Sequence, residues 1–190
     1  GNPPPAAVAN PQGATGQNLV MVGGNQVNVL TGKGDNTFST QPYTVATTQG
    51  NSLVAVTVAD MNNDGRPDIV AADYSTNQVF VLLQDASGNG QFDSPAAYPV
   101  GVHPTAVVAR DVNGDLKADV MVTNGAFDSV SVLLNDGNGG LKPAQNYAVQ
   151  GSPSGLITGD FNEDHKSDLA VTNADNASVS ILLGAGDGSF

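Results

Sequence analysis

The sequence lacks cysteine and tryptophan, and it is poor in basic residues. Without cysteine the chain can form no disulfide, no thiol nucleophile and no cysteine-ligated zinc site. Lys and Arg total 6 against 18 Asp and Glu, which gives a formal net charge of -12. This balance argues against binding to nucleic acid or to an anionic membrane surface, because both require a basic face. No apolar run approaches the length of a membrane-spanning helix, so no membrane span is expected.

Turn-forming residues are abundant, with 23 Gly and 11 Pro among 190 residues. Glutamate and lysine, the usual residues of helix surfaces, are nearly absent, and Glu163 is the only glutamate. This composition favours many short strands over long helices. The length suffices for a domain with a real hydrophobic core.

An acidic segment occurs three times at nearly constant spacing. The segments read DMNNDGRPDI from residue 60, DVNGDLKADV from residue 111 and DFNEDHKSDL from residue 160. About 50 residues before the first, Asn10, Gln12, Ala14 and Asn18 keep the same frame without a carboxylate. The chain is therefore an array of four repeats of about 50 residues, with approximate bounds 1–49, 50–100, 101–150 and 151–190.

Each repeat is predicted to contain four strands separated by turns rich in Gly, Asn and Asp. In the third repeat we expect strands at 104–110, 119–123, 130–134 and 141–149. Four strands in about 50 residues are typical of a propeller blade, and a β-sandwich or a solenoid is the alternative. The predicted fold is all-β, a β-propeller of four-stranded antiparallel blades that occupies 1–190, with the last of about four repeats incomplete.

An incomplete array of four blades would leave open edges, which invite pairing. We therefore expect either a fragment of a larger propeller or a homodimer that closes a larger ring.

The three acidic segments carry oxygen-bearing side chains at loop positions one, three, five and nine. Calcium prefers six to eight hard oxygen ligands, including main-chain carbonyls and water. The expected ligands are Asp60, Asn62, Asp64, Arg66 and Asp68; Asp111, Asn113, Asp115, Lys117 and Asp119; and Asp160, Asn162, Asp164, Lys166 and Asp168, where the basic residues serve through their carbonyls. Nine of the 18 acidic residues occupy these positions, and they repel one another if no cation is present. About three calcium ions per chain are expected, and a solvated acidic turn is the alternative.

Position six of the loops favours a left-handed backbone, which Gly65 adopts most readily, His165 at some cost and Leu116 less readily. We therefore expect the second loop to be strained or slightly different in shape, and its calcium binding is left open. Position twelve lies inside a predicted strand and carries no Glu, which excludes an EF-hand. The degenerate first loop has no carboxylate and is expected to bind no ion.

The pattern D-x-N-x-D-G-x-x-D, followed by V-x-V-L-L and by G-x-G-x-F, resembles FG-GAP/VCBS repeats. These repeats form the blades of propellers like that of the integrin alpha subunit and of many bacterial secreted proteins. The resemblance implies a β-propeller with calcium in the loop between the first and second strands of a blade. It says little about the ligand, because propellers carry many functions.

Three functions remain open. The favoured one is a calcium-binding extracellular module, non-catalytic, with calcium in a structural role, that binds a protein or a glycan in adhesion. A carbohydrate-binding lectin is the alternative, and a polysaccharide-cleaving enzyme is less favoured because His103 and His165 lie in different repeats and neither recurs. We expect a secreted or cell-surface protein of bacterial origin, since extracellular calcium modules suit the ion concentration outside cells.

The repeating aromatic residues are expected to fill equivalent core or blade-packing positions, and the others are candidates for individual roles. The first group comprises Tyr43, Tyr98, Tyr147, Phe38, Phe92 and Phe190; the second comprises Tyr74, Phe80, Phe127 and Phe161. Tyr74 and Phe127 fall in the turn after a second strand, which makes them candidates for contact with a glycan.

Overall fold

The computed structural model describes residues 6–9, 18–35, 37–45, 52–87 and 90–190. These residues form fifteen β-strands and no helix. The described residues accordingly contain no helix that could cross a membrane.

The strands form four sheets, here called blades, in which strand order follows chain order. Blade 1 comprises β1 (Ala6–Ala9), β2 (Asn18–Gly23), β3 (Gln26–Gly32) and β4 (Phe38–Thr44). Blade 2 comprises β5 (Leu53–Ala59), β6 (Asp68–Asp73), β7 (Gln78–Leu82) and β8 (Ala96–Pro99). Blade 3 comprises β9 (Pro104–Arg110), β10 (Asp119–Asn124), β11 (Ser129–Leu133) and β12 (Gln145–Ala148). Blade 4 comprises β13 (Pro153–Gly159), β14 (Asp168–Asn173) and β15 (Ser178–Leu182).

All neighbouring strands are antiparallel, so each blade is a meander. The prediction of an all-β, propeller-like fold built of antiparallel blades is therefore confirmed. In blade 3 the observed first strand has the predicted bounds. The predicted fourth strand is divided: Leu141 makes an isolated bridge to Asn135, and regular pairing resumes at β12. Pro143 lies between them and has no N–H to donate to a ladder.

The hydrophobic core consists of three clusters, each between two adjacent blades. In the first, Val20, Val22, Val27 and Val29 of blade 1 face Ile69, Ala71, Phe80 and Leu82 of blade 2. Each blade thus has a front face toward the preceding blade and a rear face toward the next one. Every residue of β6 and β10 is buried, because both faces of these strands are covered. Burying one such Val or Leu side chain contributes about 1.5–3 kcal/mol.

The repeating aromatic residues pack across blade boundaries, with one exception. Tyr43 of blade 1 meets Phe92 of blade 2 edge-on at 5.1 Å between ring centroids, and Tyr147 of blade 3 meets Phe190 of blade 4 at 5.5 Å. The prediction was wrong for Phe38, which is 49% exposed. Its counterparts rest on a tyrosine of the preceding blade, and the described residues include no blade in front of blade 1.

Candidate metal centres

The three acidic loops, residues 60–68, 111–119 and 160–168, connect the first and second strands of blades 2, 3 and 4. Positions four and six of each loop have a left-handed backbone. The φ angles are 57° at Asn63, 78° at Gly114 and 63° at Glu163, then 80° at Gly65, 64° at Leu116 and 64° at His165. The expected left-handed position six is therefore confirmed. Leu116 adopts it although its Cβ makes this conformation cost about 1–2 kcal/mol.

The aspartate at position one organises each loop by accepting main-chain hydrogen bonds. In the first loop Asp64 N donates to Asp60 Oδ1 at 3.1 Å and Gly65 N donates to Asp60 Oδ2 at 2.8 Å. The third loop repeats these two bonds at Asp160 with the same lengths. The second loop departs slightly, since Asp111 Oδ1 accepts from positions three and four instead. Leu116 N keeps the bond to the other oxygen, Asp111 Oδ2, at 2.8 Å, and Leu116 has the same φ angle as His165. The difference in hydrogen bonding therefore lies at positions three and four, and not at position six.

The aspartate at position nine is fully buried and clamps the loop to the end of the third strand. One carboxylate oxygen accepts the N–H of position two, and the other accepts an N–H just beyond the third strand. The donors are Met61 and Gln84 to Asp68 at 2.8 and 2.7 Å, Val112 and Asn135 to Asp119 at 3.1 and 2.8 Å, and Phe161 and Gly184 to Asp168 at 2.9 and 2.7 Å. Sequence reasoning assigned this residue only as a ligand. Its place as the first residue of a buried second strand indicates that it is buried, but not which N–H groups bind it.

Burial and neighbouring charge act together on the buried carboxylates. Desolvation raises the pKa of Asp68 to about 6, although its two N–H partners oppose the shift, and the charges of Asp64 and Asp60 raise it further. The pKa of Asp119 is raised by the same kinds of contact, with desolvation the largest. Each of these carboxylates thus sits in negative potential that a nearby cation would relieve.

Each loop also carries a basic side chain at position seven that pairs with the aspartate at position five. The pairs are Arg66 with Asp64, Lys117 with Asp115 at 3.7 Å, and Lys166 with Asp164 at 3.7 Å. From the sequence only the carbonyls of these residues are expected to take part, although a basic residue at position seven of every loop is a signal for these ion pairs. Solvent-accessible pairs of this kind contribute about 0–1 kcal/mol, so the position-five carboxylates can rotate away from them at small cost.

The loops fit calcium in donor chemistry, but their side chains do not enclose an ion as they stand. Carboxylate, amide and carbonyl oxygens in one short loop are the ligands that calcium prefers. Across the described parts of the chain, no three His, Asp or Glu side chains are grouped so that they could hold a metal. An ion would have to draw the position-five carboxylate away from its basic partner.

The three loops lie side by side along one side of the array. Asn63 Nδ2 of the first loop donates to the carbonyl of Leu116 at 3.4 Å. Ser167 Oγ of the third loop donates to the carbonyl of Asp111 at 3.2 Å. Residues 10–17 of the degenerate loop, with Asn10, Gln12 and Ala14, lie outside the described residues; Asn18, at position nine, is buried.

Tyr74 and Phe127, the candidates for contact with a glycan, lie at the opposite end of the blades from the acidic loops, in the turns that follow the second strands. Tyr74 stacks on His103 with 4.2 Å between ring centroids, so one face of each ring is covered. Phe127 is 69% exposed. It lines a cavity of about 470 Å³ together with Tyr147, Ser129 and Asn146. Of the other candidates, Phe80 is buried in the core, and Phe161 is exposed in the third acidic loop.

Comparison with known proteins identifies the repeats and the fold. The family model described as FG-GAP-like repeat matches residues 17–71, 60–122 and 111–171. No curated protein matches the chain. Similar solved structures include the pore form of the Photorhabdus luminescens Tc holotoxin, at TM-score 0.52 and 17% identity over 94% of this chain and 9% of that one. BBS1N, solved in complex with ARL6DN, is similar at TM-score 0.55 and 12% identity over 82% of this chain and 44% of that one.

A lectin of Agrocybe aegerita, whose structure concerns recognition of non-reducing terminal N-acetylglucosamine, matches at TM-score 0.46 and 17% identity over 98% of this chain and 65% of that one. The chain thus spans less than two thirds of each of these three structures. Likeness at such low identity describes the fold and not the activity.

Proposed function

The chain belongs to the family of FG-GAP-like repeat proteins, and from this premise we propose that it is a non-catalytic, calcium-binding module that binds a protein or a glycan outside the cell. The observation that supports calcium is one loop that occurs three times, with carboxylates at positions one and five close to a buried aspartate at position nine. The pKa of this aspartate is raised in the first two loops, at Asp68 and Asp119. A single acidic turn needs no ion. Three loops that share left-handed residues at positions four and six and a buried aspartate at position nine support a common role in binding an ion.

Calcium would be held by the side chains at positions one, three, five and nine and by the carbonyl at position seven. In the first loop these are Asp60, Asn62, Asp64 and Asp68, with the carbonyl of Arg66; the second and third loops offer the corresponding residues. Bound calcium supplies positive charge that offsets the repulsion among the carboxylates. The protein's own contribution is the preformed turn, which the N–H bonds to Asp60 and Asp68 hold in place.

Chelation tests this proposal. At about 2 mM calcium and a dissociation constant of about 0.1 mM, the range of extracellular modules, each site adds about 1.8 kcal/mol to the stability of the fold. For a chain of this size that corresponds to about 4–7 °C in melting temperature per site. Removing calcium should therefore lower the melting temperature clearly, and an unchanged melting curve would refute structural calcium.

Two variants and one control assign the sites. Asp64→Ala and Asp164→Ala should each reduce the number of bound ions by one, as counted by titration calorimetry. Asp93→Ala removes an exposed carboxylate that lies outside the acidic loops and should leave the count at the wild-type value. If all three variants bind the same number of ions, the assignment is wrong.

Carbohydrate binding is the second candidate, and the cavity beside Phe127 is the observation that favours it. An exposed ring next to the polar side chains of Ser129 and Asn146 offers a stacking surface and hydrogen-bonding groups for one sugar. On a glycan array, Phe127→Ala should abolish binding. Phe161→Ala removes an exposed ring at the other end of the blades and is the matched control. Binding that survives Phe127→Ala would remove this cavity from consideration.

We also propose that another blade packs on the rear face of blade 4. Val179 and Ile181 are exposed there, whereas their counterparts Val130 and Val132 are buried against blade 4. A second copy of the chain is the first source to test, because a head-to-tail pair of identical arrays gives about eight blades, within the range of closed propellers. Sedimentation equilibrium should give twice the mass of 19.2 kDa; a monomer would exclude the homodimer.

A further inference from the structure

The residue at position seven of each acidic loop engages both carboxylate oxygens of the aspartate at position five. Its N–H donates to one oxygen, and its basic side chain pairs with the other. The N–H bonds run from Arg66 to Asp64 Oδ1 at 2.8 Å, from Lys117 to Asp115 Oδ1 at 3.0 Å and from Lys166 to Asp164 Oδ1 at 3.0 Å. The ion pairs engage Oδ2 of the same three aspartates. A cation of the chain itself thus occupies the carboxylate that calcium would need.

The three ion pairs differ in how firmly the cation is held. Arg66 Nη2 donates a hydrogen bond to Asp64 Oδ2, whereas Lys117 and Lys166 stand 3.7 Å from their carboxylates, which is too far for a hydrogen bond. Exposure of the basic side chain rises along the array, from 29% at Arg66 to 33% at Lys117 and 44% at Lys166. Arg66 is therefore the hardest of the three to displace, and Lys166 is the easiest.

Lys166 has a second carboxylate close by, in the turn that follows β15. Its stem crosses Gly186, where Lys166 Cδ is 3.1 Å from the place that a Cβ would take. The next residue is Asp187, whose pKa is lowered by hydrogen bonds from the hydroxyl and the N–H of Ser189 and further by the charge of Lys166. Lys166 can therefore leave Asp164 and remain next to a negative charge.

Lys117 meets a neutral side chain at the corresponding place of blade 3. Its Nζ lies 2.7 Å from the place that a Cβ on Gly137 would take, and the residue after this glycine is Asn138. Asp136, on the other side of Gly137, binds within its own turn, since its Oδ1 accepts the N–H groups of Asn138 at 2.8 Å and Gly140 at 3.2 Å. Displacing Lys117 from Asp115 should therefore cost more than displacing Lys166 from Asp164.

We propose that the basic side chain at position seven is an internal counter-ion that calcium displaces from the position-five aspartate, and that it sets the order in which the loops fill. This inference rests on the proposed calcium binding and deepens it. The third loop fills first because Lys166 moves to Asp187, the second loop follows, and the first loop fills last because Arg66 is hydrogen-bonded. Without calcium, the same side chains offset the repulsion among the carboxylates and stabilise the empty loops.

A calcium titration of the full 190-residue chain, followed by amide NMR spectra, reads each loop separately. The reporters are the N–H groups at position six, because each donates to the position-one aspartate of its own loop; they belong to Gly65, Leu116 and His165. The dissociation constants in the wild-type chain should increase from the third loop to the second and from the second to the first.

Removal of each basic side chain should tighten calcium binding in its own loop. We expect about a twofold to fivefold gain in Arg66→Met, Lys117→Met and Lys166→Met, with the largest gain in Arg66→Met, because calcium no longer has to break an ion pair. Lys142→Met removes an exposed cation outside the acidic loops and should leave all three affinities at the wild-type values.

The melting temperature without calcium provides a readout of opposite sign. In a chelator, Arg66→Met should melt lower than the wild-type chain by up to about 4 °C, because its carboxylates have lost their counter-ion. Saturating calcium should remove this difference. Arg66→Lys keeps the charge without the guanidinium group and should fall between the two proteins in both measurements. A variant that only disturbs the fold would melt lower under both conditions, and this result would contradict the inference.

The role of Asp187 is tested by a double-mutant cycle. Asp187→Asn should weaken calcium binding in the third loop about twofold, because the displaced Lys166 loses its second partner. The effect should disappear when Lys166→Met is also present. Asn138→Asp, the matched change in blade 3, supplies the missing carboxylate and should tighten the second loop by a similar factor. Equal weakening by Asp187→Asn with and without Lys166 would mean that Asp187 attracts calcium directly, and the proposed release of Lys166 would be wrong.

Two further results would overturn the inference, and they separate it from the proposed function. If calcium binds but all three methionine variants keep the wild-type affinities, the basic side chains do not compete with the ion, although calcium binding itself stands. If neither the wild-type chain nor any variant binds calcium, the proposed function fails and the inference fails with it.

Discussion

The buried carboxylate of Asp68 should make the metal-free protein less stable at pH 7 than at pH 5. Its pKa is about 6 in the fold and 3.8 as the reference for an unfolded chain. Between these values the unfolded chain has lost the proton that the folded chain still holds, so stability falls as the pH rises. The full shift corresponds to about 3 kcal/mol, of which roughly 1 kcal/mol falls between pH 5 and pH 7. Asp119 acts in the same direction.

Urea unfolding in metal-free buffer at pH 5, 6 and 7 measures this slope. In Asp68→Asn the loss of stability between pH 5 and pH 7 should be smaller by about 1 kcal/mol, since the titrating group is gone. Asp93→Asn removes an exposed carboxylate with the same substitution and should keep the wild-type slope. Added calcium should flatten the slope of the wild-type protein, because a cation next to Asp68 lowers its pKa. If Asp68→Asn and wild type show the same pH dependence, the reasoning about this carboxylate is wrong.

Three further substitutions follow from the packing and the loops, each read by the free energy of unfolding. Asn135→Ala removes the hydrogen bonds from Asn135 Nδ2 to the carbonyl of Met61 in the first loop and to the carbonyl of Ala118 in its own loop, and it should lower the free energy of unfolding by about 1–3 kcal/mol. The exposed Asn138→Ala is the control and should lower it by less than about 0.5 kcal/mol. Equal losses would refute the role of Asn135 in tying the loops to blade 3. Leu133→Ala opens a cavity between blades 2 and 3 and should lower the free energy of unfolding by about 2–5 kcal/mol. Leu183 is half-exposed, so Leu183→Ala should be nearly neutral in a monomer. A large loss of stability in Leu183→Ala would mean that another chain or blade covers this side chain. Leu116→Gly relieves a left-handed backbone at a side chain that is 84% exposed and should stabilise by about 0.5–1 kcal/mol; a loss would show that this leucine is not strained.

The fold could be predicted in detail because its units repeat. The spacing of the acidic segments and the Val-rich runs located the strands, and β9 has the predicted bounds. The division of the fourth strand before β12 was missed, because a single Pro143 interrupts pairing that hydrophobic pattern alone does not resolve. The exposure of Phe38 was missed for another reason. It depends on whether a tyrosine of a neighbouring blade covers the ring, as Tyr43 covers Phe92, and such a contact between blades is not visible in the local sequence.

The backbone conformation of the acidic loops could be predicted from the sequence, but only some of the contacts of their side chains could. Local sterics at position six identified the left-handed residue, since glycine there in one loop indicates the conformation in all three. The clamp by Asp68 could not be derived, because its second donor, Gln84, lies 16 residues away and reaches it only through the register of the third strand. The contact of Asn135 with the carbonyl of Met61 crosses between blades and leaves no local signal.

Calcium binding is tested most directly by counting the ions per chain with native mass spectrometry, first in millimolar calcium and then after chelation. We expect three ions on the wild-type chain and two on Asp64→Ala, with none left after chelation. A chain that retains no calcium under these conditions would contradict the proposal. The acidic loops would then be solvated turns held by their own hydrogen bonds and basic side chains.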